Sequence, residues 1–335
     1  MVTLKELARI LNVSVSTVSK ALNDSPEIGE RTKKRIVELA KELNYRPNRI
    51  AQQLKSNRTK TIGVIIPSVL NPFFAEVLHG IEQEAADKNY DIIVCLSDES
   101  LDKEIRSIEL LSNGSVDGFV IALSQETQTR DYSKHLFELK LQNIPVVYFD
   151  RSIPSLKGHY VLVDDYQCMY DVVIYLVEKE RRKKMVLLSN IEDLSVGKRR
   201  IEGFEEALKA NDLKGHVLRL SGDTDIRQSI QKFLGAHPHT DAVISIDHIT
   251  GVVALNCLKE SNRKVPDDVS VVGFGSPTTQ ILTSPELAVI YQKATDMGKK
   301  SMDLLDSLLT TDVASRKKQS INRLKSELLK GQTLL

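Results

Sequence analysis

The sequence predicts a small all-α helix-turn-helix head followed by a large α/β body that contains two parallel-sheet subdomains. Three short amphipathic helical segments lie within residues 1–46, and from residue 61 onward short apolar runs alternate with helical stretches. The net charge also changes sign at this boundary. Residues 1–60 hold 13 Lys or Arg and 6 Asp or Glu, a balance of +7, whereas the remaining residues balance at −6. A basic head on an acidic body indicates an anionic partner for the head alone.

The first two helices are predicted from their cap residues and apolar spacing. Leu4–Leu11 has apolar residues at the i, i+3, i+4 and i+7 spacing of a helix with one buried face, and Thr3 and Glu6 form a capping box that starts it. Asn12 suits the sharp turn that follows, because asparagine tolerates the left-handed conformation better than most residues. Val15–Leu22 then forms a second helix at the spacing of a helix-turn-helix.

The second helix has an apolar inner face and a polar outer face. Ser14 caps it, and Val18 and Leu22 face inward. The outer face suits the DNA major groove, where Lys bonds guanine acceptors and Ser or Thr bonds bases or phosphates. The outward residues are Val15, Ser16, Thr17, Ser19 and Lys20. The alternative is a short solvated helix in some other helical bundle.

A third helix and a short connecting segment complete the N-terminal part. The helix runs from about Arg31 to Leu43 and starts with a basic cluster that can contact phosphates. Pro47 ends it, because proline disfavours helix in the residue before it. Asn48 then caps a basic helical stretch of about two turns, which is too short to be stable alone. The basic cluster consists of Arg31, Lys33, Lys34 and Arg35.

The body contains ten apolar runs that are strand candidates, from Ile62–Pro67 to Ala288–Tyr291, with amphipathic stretches between them. Nearly continuous apolar strands that alternate with helices indicate parallel sheets covered on both faces. Ten strands exceed one sheet of ordinary size, so we expect two similar halves with a cleft between them. In such sheets a ligand binds beyond the carboxyl ends of the strands.

Several function classes are excluded by what the sequence lacks. No apolar run approaches the roughly 18 residues of a membrane span, and the N-terminus has no signal-peptide core. We therefore expect a cytoplasmic protein without a membrane partner, in which Cys95, Cys168 and Cys257 are reduced thiols. No nucleotide-binding motif or nucleophile–base pair occurs, and His237–His239 is best explained as an exposed loop. We therefore expect no cofactor, no metal and no enzymatic activity.

Four stretches of the N-terminal sixty residues form a dense pattern: VTLKELA at 2–8, NVSVSTVSKALN at 12–23, LNYRPN at 43–48 and AQQL at 51–54. In this pattern the chain resembles the lactose-repressor (LacI/GalR) family, and with the body the resemblance covers nearly the whole chain. It implies a DNA-binding transcriptional regulator, by default a repressor, although activation stays open. It also implies a homodimer that binds a pseudo-palindromic double-stranded operator and responds to a small-molecule effector, such as a sugar.

The resemblance also implies a division of the chain. Residues 1–46 form the DNA-binding domain, residues 47–60 the hinge helix and linker, and residues 61–335 the effector-binding and dimerisation domain. The last of these takes the type I periplasmic-binding-protein fold with crossover strands. Its N-subdomain comprises about 61–160 and 292–320, and its C-subdomain about 161–291 and 321–335.

The family pattern also indicates which residues contact DNA. The residues at the positions of Val15, Ser16 and Lys20 read bases in the family, and Val15 offers only apolar contact, for instance to a thymine methyl. Leu54 matches the hinge leucine that wedges into the minor groove and kinks the duplex, and Ala51 matches the small residue that permits close approach. The expected DNA-binding residues are Ser14, Val15, Ser16, Thr17, Lys20, Asn23, Asn48, Ala51, Leu54 and Lys55.

The effector residues are expected at the ends of strands. Phe73 or Phe74 can form an aromatic wall after the first strand, and Asp150 can accept ligand hydroxyls. Arg200 matches the family's ligand-binding arginine, whose planar fork suits vicinal hydroxyls or a carboxylate. Asp247 and Gln292 match family positions near the pocket. The expected effector-binding residues are Phe73, Phe74, Ser124, Asp150, Arg200, Asp247 and Gln292.

Two departures from the family pattern affect the pocket. Gly275 lies where the family commonly has an acidic residue, and Thr224 replaces a usual aromatic. The pocket therefore either binds something other than the usual small hexose or has lost its effector. Two other classes of function are the alternatives: a solute-binding protein without DNA function, which would need export, and an enzyme on a two-domain α/β scaffold.

Overall fold

The computed structural model describes residues 2–45, 58–220, 222, 225–316 and 319–335. The chain divides into two compact units, Met1–Thr59 and Lys60–Leu335. Within the described part of the chain, no helix is long and apolar enough to cross a bilayer.

The head contains three helices: α1 Leu4–Leu11, α2 Val15–Leu22 and α3 Glu30–Glu42. The capping box of Thr3 and Glu6 is formed, and Asn12 ends α1 in the left-handed conformation with φ of 52°. The sequence therefore predicted α1 and α2 correctly, and it placed the start of α3 one residue late. The cap before α3 is Gly29, which has no side chain to mark the boundary.

The head has a small core of its own. Leu7, Val18 and Ile36 contribute one fully buried side chain from each helix, and Ala21 is buried beside them. Leu22, which was expected to face inward, is only half-buried and packs at the edge of this core. The outer face of α2 does not pack against the core of the head, because the core contacts of this helix come from its other side.

The first sheet of the body has six parallel strands in the order β11-β5-β4-β3-β1-β2. Its strands are β1 Thr61–Ile66, β2 Asp91–Leu96, β3 Gly118–Ile121, β4 Val146–Phe149, β5 His159–Val163 and β11 Ser320–Leu324. The helices connected to it are α4 Pro72–Asp87, α5 Leu101–Leu111, α6 Gln125–Thr129, α7 Lys134–Leu141 and α13 Ala294–Thr310, and the short 3₁₀ helix Val313–Ser315 precedes β11.

The second sheet also has six strands, in the order β12-β10-β9-β8-β6-β7, and only β12 is antiparallel to its neighbour. Its strands are β6 Met185–Ser189, β7 His216–Arg219, β8 Ala242–Ser245, β9 Ser270–Phe274, β10 Ala288–Tyr291 and β12 Glu327–Leu329. Its helices are α8 Asp165–Glu178, α9 Ser195–Ala210, α10 Ile226–Ala236, α11 Thr250–Glu260 and α12 Pro277–Ile281.

The chain crosses between the two sheets after β5, after β10 and after β11. The predicted boundary at 291/292 coincides with the end of β10. The predicted boundaries near 160 and 320 need correction, because they cut into β5 and β11. These two strands pair along their whole length, with Tyr160 opposite Ile321, so both stay in the first sheet.

Each sheet is covered by apolar contacts on both faces. In β1, Ile62, Val64 and Ile66 pack into one core cluster and Ile65 packs into another on the opposite face. Burial on both faces removes the need for polar residues in the strand, which is why these strands are continuous apolar runs in the sequence.

Candidate functional site

The exposed face of α2 carries small polar side chains that bond to one another. The Ser14 hydroxyl accepts a hydrogen bond from the Thr17 backbone N–H at 3.0 Å, so it caps the helix as expected. The same hydroxyl lies 2.7 Å from both the Ser16 and the Thr17 hydroxyls. Val15 is 40 % exposed beside them. This face therefore offers rotatable hydroxyls and one apolar contact to a partner.

The C-terminal end of α2 carries Lys20 and Asn23. The Lys20 ammonium forms an ion pair with Glu27, and the Asn23 amide donates to the Ser19 carbonyl at 2.9 Å. The structure thus brings together on one helix the six expected DNA contacts of the head. The other four, Asn48, Ala51, Leu54 and Lys55, lie outside the described residues.

Not all of the basic cluster at the start of α3 is free. Lys33 bonds to Asp24 at 2.7 Å and to Glu30 at 3.1 Å, and only 12 % of its side chain is exposed. Hydrogen bonds to these two carboxylates raise the pKa of Lys33. Lys33 would therefore have to leave these carboxylates to contact a phosphate, while Arg31, Lys34 and Arg35 are exposed.

A cavity of about 240 Å³ lies between the carboxyl ends of the two sheets of the body. Side chains that follow β1, β3 and β4 line it from the first sheet, and side chains that follow β6, β8 and β9 line it from the second. Tyr291 and Gln292 line it at the crossover after β10. This is the position at which parallel α/β sheets bind ligands.

Arg200 is fixed in this cavity by three contacts. Its Nε donates to the Asp165 carboxylate at 2.7 Å, its Nη1 donates to the Ile246 carbonyl at 2.6 Å, and its guanidinium lies 3.7 Å from the centre of the Phe274 ring. Burial raises the pKa of Asp165, although Arg200 opposes that rise. The guanidinium is therefore held rigid and its charge is compensated within the protein.

The opposite side of the cavity carries Asp150 and Arg151. Arg151 donates to both carboxylate oxygens of Glu99, at 2.6 and 2.8 Å, and lies 3.6 Å from Asp150. Asp150 has φ of 63° and is 9 % exposed, and burial raises the pKa of its carboxyl to about 6 against the lowering effect of Arg151 and Arg200. Ionisation of Asp150 is therefore opposed by its burial in the cavity.

Two models of known families match the chain. The model described as "Bacterial regulatory proteins, lacI family" matches residues 3–48, and the model described as "Periplasmic binding proteins and sugar binding domain of LacI family" matches residues 59–328. The chain belongs to the LacI family.

Individual LacI-family proteins match the chain over most of its length. It is 32 % identical to the HTH-type transcriptional regulator RegA of Clostridium saccharobutylicum, with 92 % of each chain covered. It is 29 % identical to the repressor PurR of Aliivibrio salmonicida and 29 % identical to the ribose operon repressor of Bacillus subtilis, with 91 % of each chain covered in both cases.

A solved LacI-family structure has the same fold. The Lac repressor dimer bound to operator and the anti-inducer ONPF matches with a TM-score of 0.86 at 21 % identity, covering 100 % of this chain and 99 % of that one. This match confirms the predicted fold class, and the family models and relatives confirm the family resemblance and the role as a DNA-binding transcriptional regulator. The relatives are transcriptional regulators.

Six of the seven expected effector residues of this LacI-family chain line the cavity, and Ser124 does not. Ser124 is fully buried, its hydroxyl accepts from the Thr127 backbone N–H at 3.2 Å, and its own N–H donates to Glu104 at 2.6 Å. Its expected role as an effector contact is therefore wrong in this structure, because it caps α6. Its neighbour Gln125 lines the cavity instead.

The two candidate aromatics take different roles. Phe74 is only 2 % exposed and packs edge-on against Phe149, with ring centres 6.3 Å apart, so it supports the wall from the core. Phe73 is half-buried and meets Phe74 edge-on at 5.3 Å. Phe73 is therefore the aromatic with surface to offer to a ligand.

Asp247 and Gln292 differ in whether their polar atoms are already hydrogen-bonded within the protein. Asp247 Oδ1 accepts from the backbone N–H groups of Ile249 and Thr250, at 2.7 and 2.9 Å, and Oδ2 pairs with the Thr250 hydroxyl. The carboxylate is thus used to start α11. Gln292 is 9 % exposed, and its Nε2 forms no hydrogen bond within the part of the chain that the structure describes.

Sequence reasoning missed several lining residues, including Arg151, Asn190, His248 and Phe274. Arg151 directly follows Asp150, and Phe274 ends β9, so strand-end position was the available signal for both. Burial lowers the pKa of His248, although Asp247 opposes this effect. A half-buried neutral imidazole adds hydrogen-bonding capacity without charge.

Gly275, one of the two departures from the family pattern, lines the cavity. A Cβ atom at this position would lie 3.0 Å from the Cβ of Thr279, so an acidic side chain here would require Thr279 to move. The absence of that acid leaves Asp150 and Asp247 as the aspartates of the described lining. Thr224, the other departure, lies outside the described residues.

The two subdomains also bond directly beside the cavity. Ser195, the first residue of α9, accepts hydrogen bonds from Gln128 Nε2 at 2.9 Å and from the Ser152 backbone N–H at 3.2 Å. Gln128 also donates to the Ser152 carbonyl at 2.8 Å. These contacts join the first subdomain to the start of a helix in the second.

Proposed function

We propose that this protein is a cytoplasmic, non-enzymatic repressor that binds a pseudo-palindromic operator as a homodimer and is controlled by a small, uncharged, hydroxyl-bearing effector. The observation that carries the proposal is the cavity between the sheet ends, because both subdomains contribute polar side chains to it. A sugar or a related metabolite is the expected class of effector.

The pairing of charges inside the cavity favours an uncharged effector. Arg200 is paired with Asp165, Arg151 is paired with Glu99, and the Asp247 carboxylate caps a helix. Both arginines already have carboxylate partners, so an added anion would have to compete with those carboxylates. A neutral ligand avoids that cost.

The groups that offer unused capacity match a hydroxylated ring. Gln292 Nε2 is a buried donor without a partner among the described residues, and a buried donor gains more from a ligand acceptor than an exposed one does. Asp150 supplies an acceptor for ligand hydroxyls, and Phe73 supplies an aromatic surface. A sugar ring presents hydroxyls along its edges and an apolar face to an aromatic wall.

Exposed apolar residues on the first subdomain support a homodimer. β2 is the edge strand of its sheet, and Ile93, Val94 and Leu96 are each between 37 and 39 % exposed. Val69 and Leu70, which follow the neighbouring strand, are 44 and 89 % exposed. An unpaired edge strand with apolar side chains is a site for association with another chain.

Control of DNA binding then follows from linkage. Effector contacts are divided between the two subdomains, so an effector favours the arrangement in which both sheet edges meet it. If that arrangement differs in its affinity for operator, the effector changes DNA binding by the same factor by which DNA changes effector binding. We propose that Val15, Ser16 and Lys20 read bases and that Leu54 enters the minor groove.

The test has two steps. Purified full-length protein is screened by thermal shift against neutral sugars, sugar phosphates and nucleosides, and a neutral hydroxylated compound should raise the melting temperature. Its effect is then measured on binding to a duplex selected from a random-sequence pool by the protein. Stabilisation by sugar phosphates alone would contradict the uncharged effector, and the absence of any palindromic duplex from the selected pool would contradict the operator.

A further inference from the structure

The base-reading face of α2 is already engaged inside the head. Lys20 is the only basic residue of α2, and its ammonium forms an ion pair with the carboxylate of Glu27. Glu27 lies in the turn between α2 and α3. The two side chains are 45 and 65 % exposed, so the pair sits at the surface that must meet DNA rather than in the core.

We propose that Glu27 is an intramolecular competitor of DNA for Lys20 and thereby sets how strongly Lys20 contributes to operator recognition. The inference rests on the proposed role of Lys20 in reading bases. A lysine that bonds a guanine acceptor in the major groove must leave the Glu27 carboxylate. Glu27 then lies unpaired near the phosphates, whose charge repels it.

Three other carboxylates of the head have different partners. Glu6 bonds back to Thr3 in the capping box, and Asp24 and Glu30 hold Lys33. Among the described residues of the head, Glu27 is therefore the acid that is paired with the reading helix. Glu38, on α3, is exposed and supplies a matched control for a simple loss of negative charge.

The expected effect is modest and depends on salt. Ion pairs between exposed side chains contribute little, and releasing Lys20 should strengthen DNA binding by about twofold to fivefold. The gain should be larger at low ionic strength, because salt screens both the ion pair and the repulsion between Glu27 and phosphate. A gain of this size is measurable when two variants are compared on one duplex.

The experiment is a double-mutant cycle on full-length protein. Glu27→Gln and Glu38→Gln are each made in the wild-type and the Lys20→Ala backgrounds, and Kd is measured by fluorescence anisotropy on the duplex selected by the wild-type protein. Glu27→Gln should bind more tightly than Glu38→Gln when Lys20 is present. In the Lys20→Ala background the advantage of Glu27→Gln over Glu38→Gln should shrink, because only the repulsion between Glu27 and phosphate then remains. Thermal unfolding of each variant controls for loss of the fold.

The possible results separate the inference from the proposed function. If Lys20→Ala leaves operator affinity unchanged, the reading role of Lys20 is wrong and the inference fails with it. If Lys20→Ala weakens binding but Glu27→Gln gives the same gain in both backgrounds, the reading role survives and the competition is refuted. A gain from Glu27→Gln that merely equals that from Glu38→Gln refutes it as well.

Discussion

Replacing Asp150 by asparagine removes a carboxyl whose ionisation the cleft opposes. Burial raises the pKa of this group to about 6, from an ordinary value of 3.8. At roughly 1.4 kcal/mol per pH unit, ionised Asp150 lowers the free energy of unfolding at neutral pH by up to about 3 kcal/mol. Asparagine tolerates the left-handed backbone at this position, where φ is 63°, so the substitution adds little strain. Asp150→Asn should therefore stabilise the body at pH 7.5 by about 1–3 kcal/mol.

The size of this destabilisation depends on pH in a defined way. Above pH 6 the carboxyl is ionised in both the folded and the unfolded chain, and the folded chain carries the full cost. As pH falls through 6 the folded carboxyl takes up a proton, and near pH 4 the cost has vanished. The advantage of Asp150→Asn over wild type should therefore be largest at pH 7.5 and small at pH 4.5.

Urea denaturation of both proteins at several pH values measures this difference. The exposed Asp193→Asn serves as the matched control and should show no such pH-dependent gain. A stability difference that is the same at every pH, or an Asp150→Asn protein that is less stable at pH 7.5, would refute the reasoning. If Asp150→Asn does stabilise the protein, the natural aspartate costs stability, which supports a role for it in binding.

Three further substitutions test other contacts. Arg200→Ala leaves the buried Asp165 carboxylate without its partner, so the free energy of unfolding should fall by about 3–5 kcal/mol, and an unchanged urea midpoint would contradict the pairing. Ser195→Ala removes the hydroxyl that accepts a hydrogen bond from Gln128 across the cleft. Effector affinity measured by calorimetry should fall by about threefold to tenfold. An unchanged affinity would show that this bond does not favour closure. Ser14→Ala removes the cap of α2, and its amides should exchange faster by the equivalent of about 1 kcal/mol, unless water replaces the cap without cost.

The head was predictable almost residue by residue because its signals are local. A capping box joins residues three apart, and Ser14 bonds the backbone of Thr17 within one turn. The start of α3 was misplaced because Gly29 leaves no side-chain signal. The ion pairs of Lys20 and Lys33 were missed since they join residues seven and nine apart across turns, where spacing alone does not fix the contact.

The strands of the body were predictable where they contain a continuous apolar run. β1 to β10 contain apolar runs that were identified, but β11 and β12 were missed. β11 alternates between half-buried and exposed positions and includes Asn322 and Arg323, because it lies at the edge of its sheet. A strand interrupted in this way has no continuous apolar run, so composition does not distinguish it from a loop.

The cleft was predictable in location but not in its pairing of charges. Strand-end position identified Asp150, and the family pattern identified Arg200. The expectation for Ser124 misled, because its side chain turns back to cap a helix. The partners of the two arginines come from distant segments: Glu99 is 52 residues from Arg151, and Asp165 is 35 residues from Arg200. No local pattern relates such residues, so only the fold shows which charges are already compensated.

That compensation, together with the division of the cleft, limits how an effector can act. A ligand shifts the balance between two arrangements only through contacts that differ between them. Phe73 and Asp150 lie at the carboxyl ends of the strands of the first sheet, Arg200 lies on the side of the second sheet, and Gln292 lies at the crossover between them. A molecule that touched one edge alone would bind both arrangements equally and leave DNA binding unchanged, however tightly it bound. Control of operator binding therefore requires a ligand that contacts the strand ends of both sheets. The cleft thus determines the size of the effector as well as the positions of its hydroxyl groups.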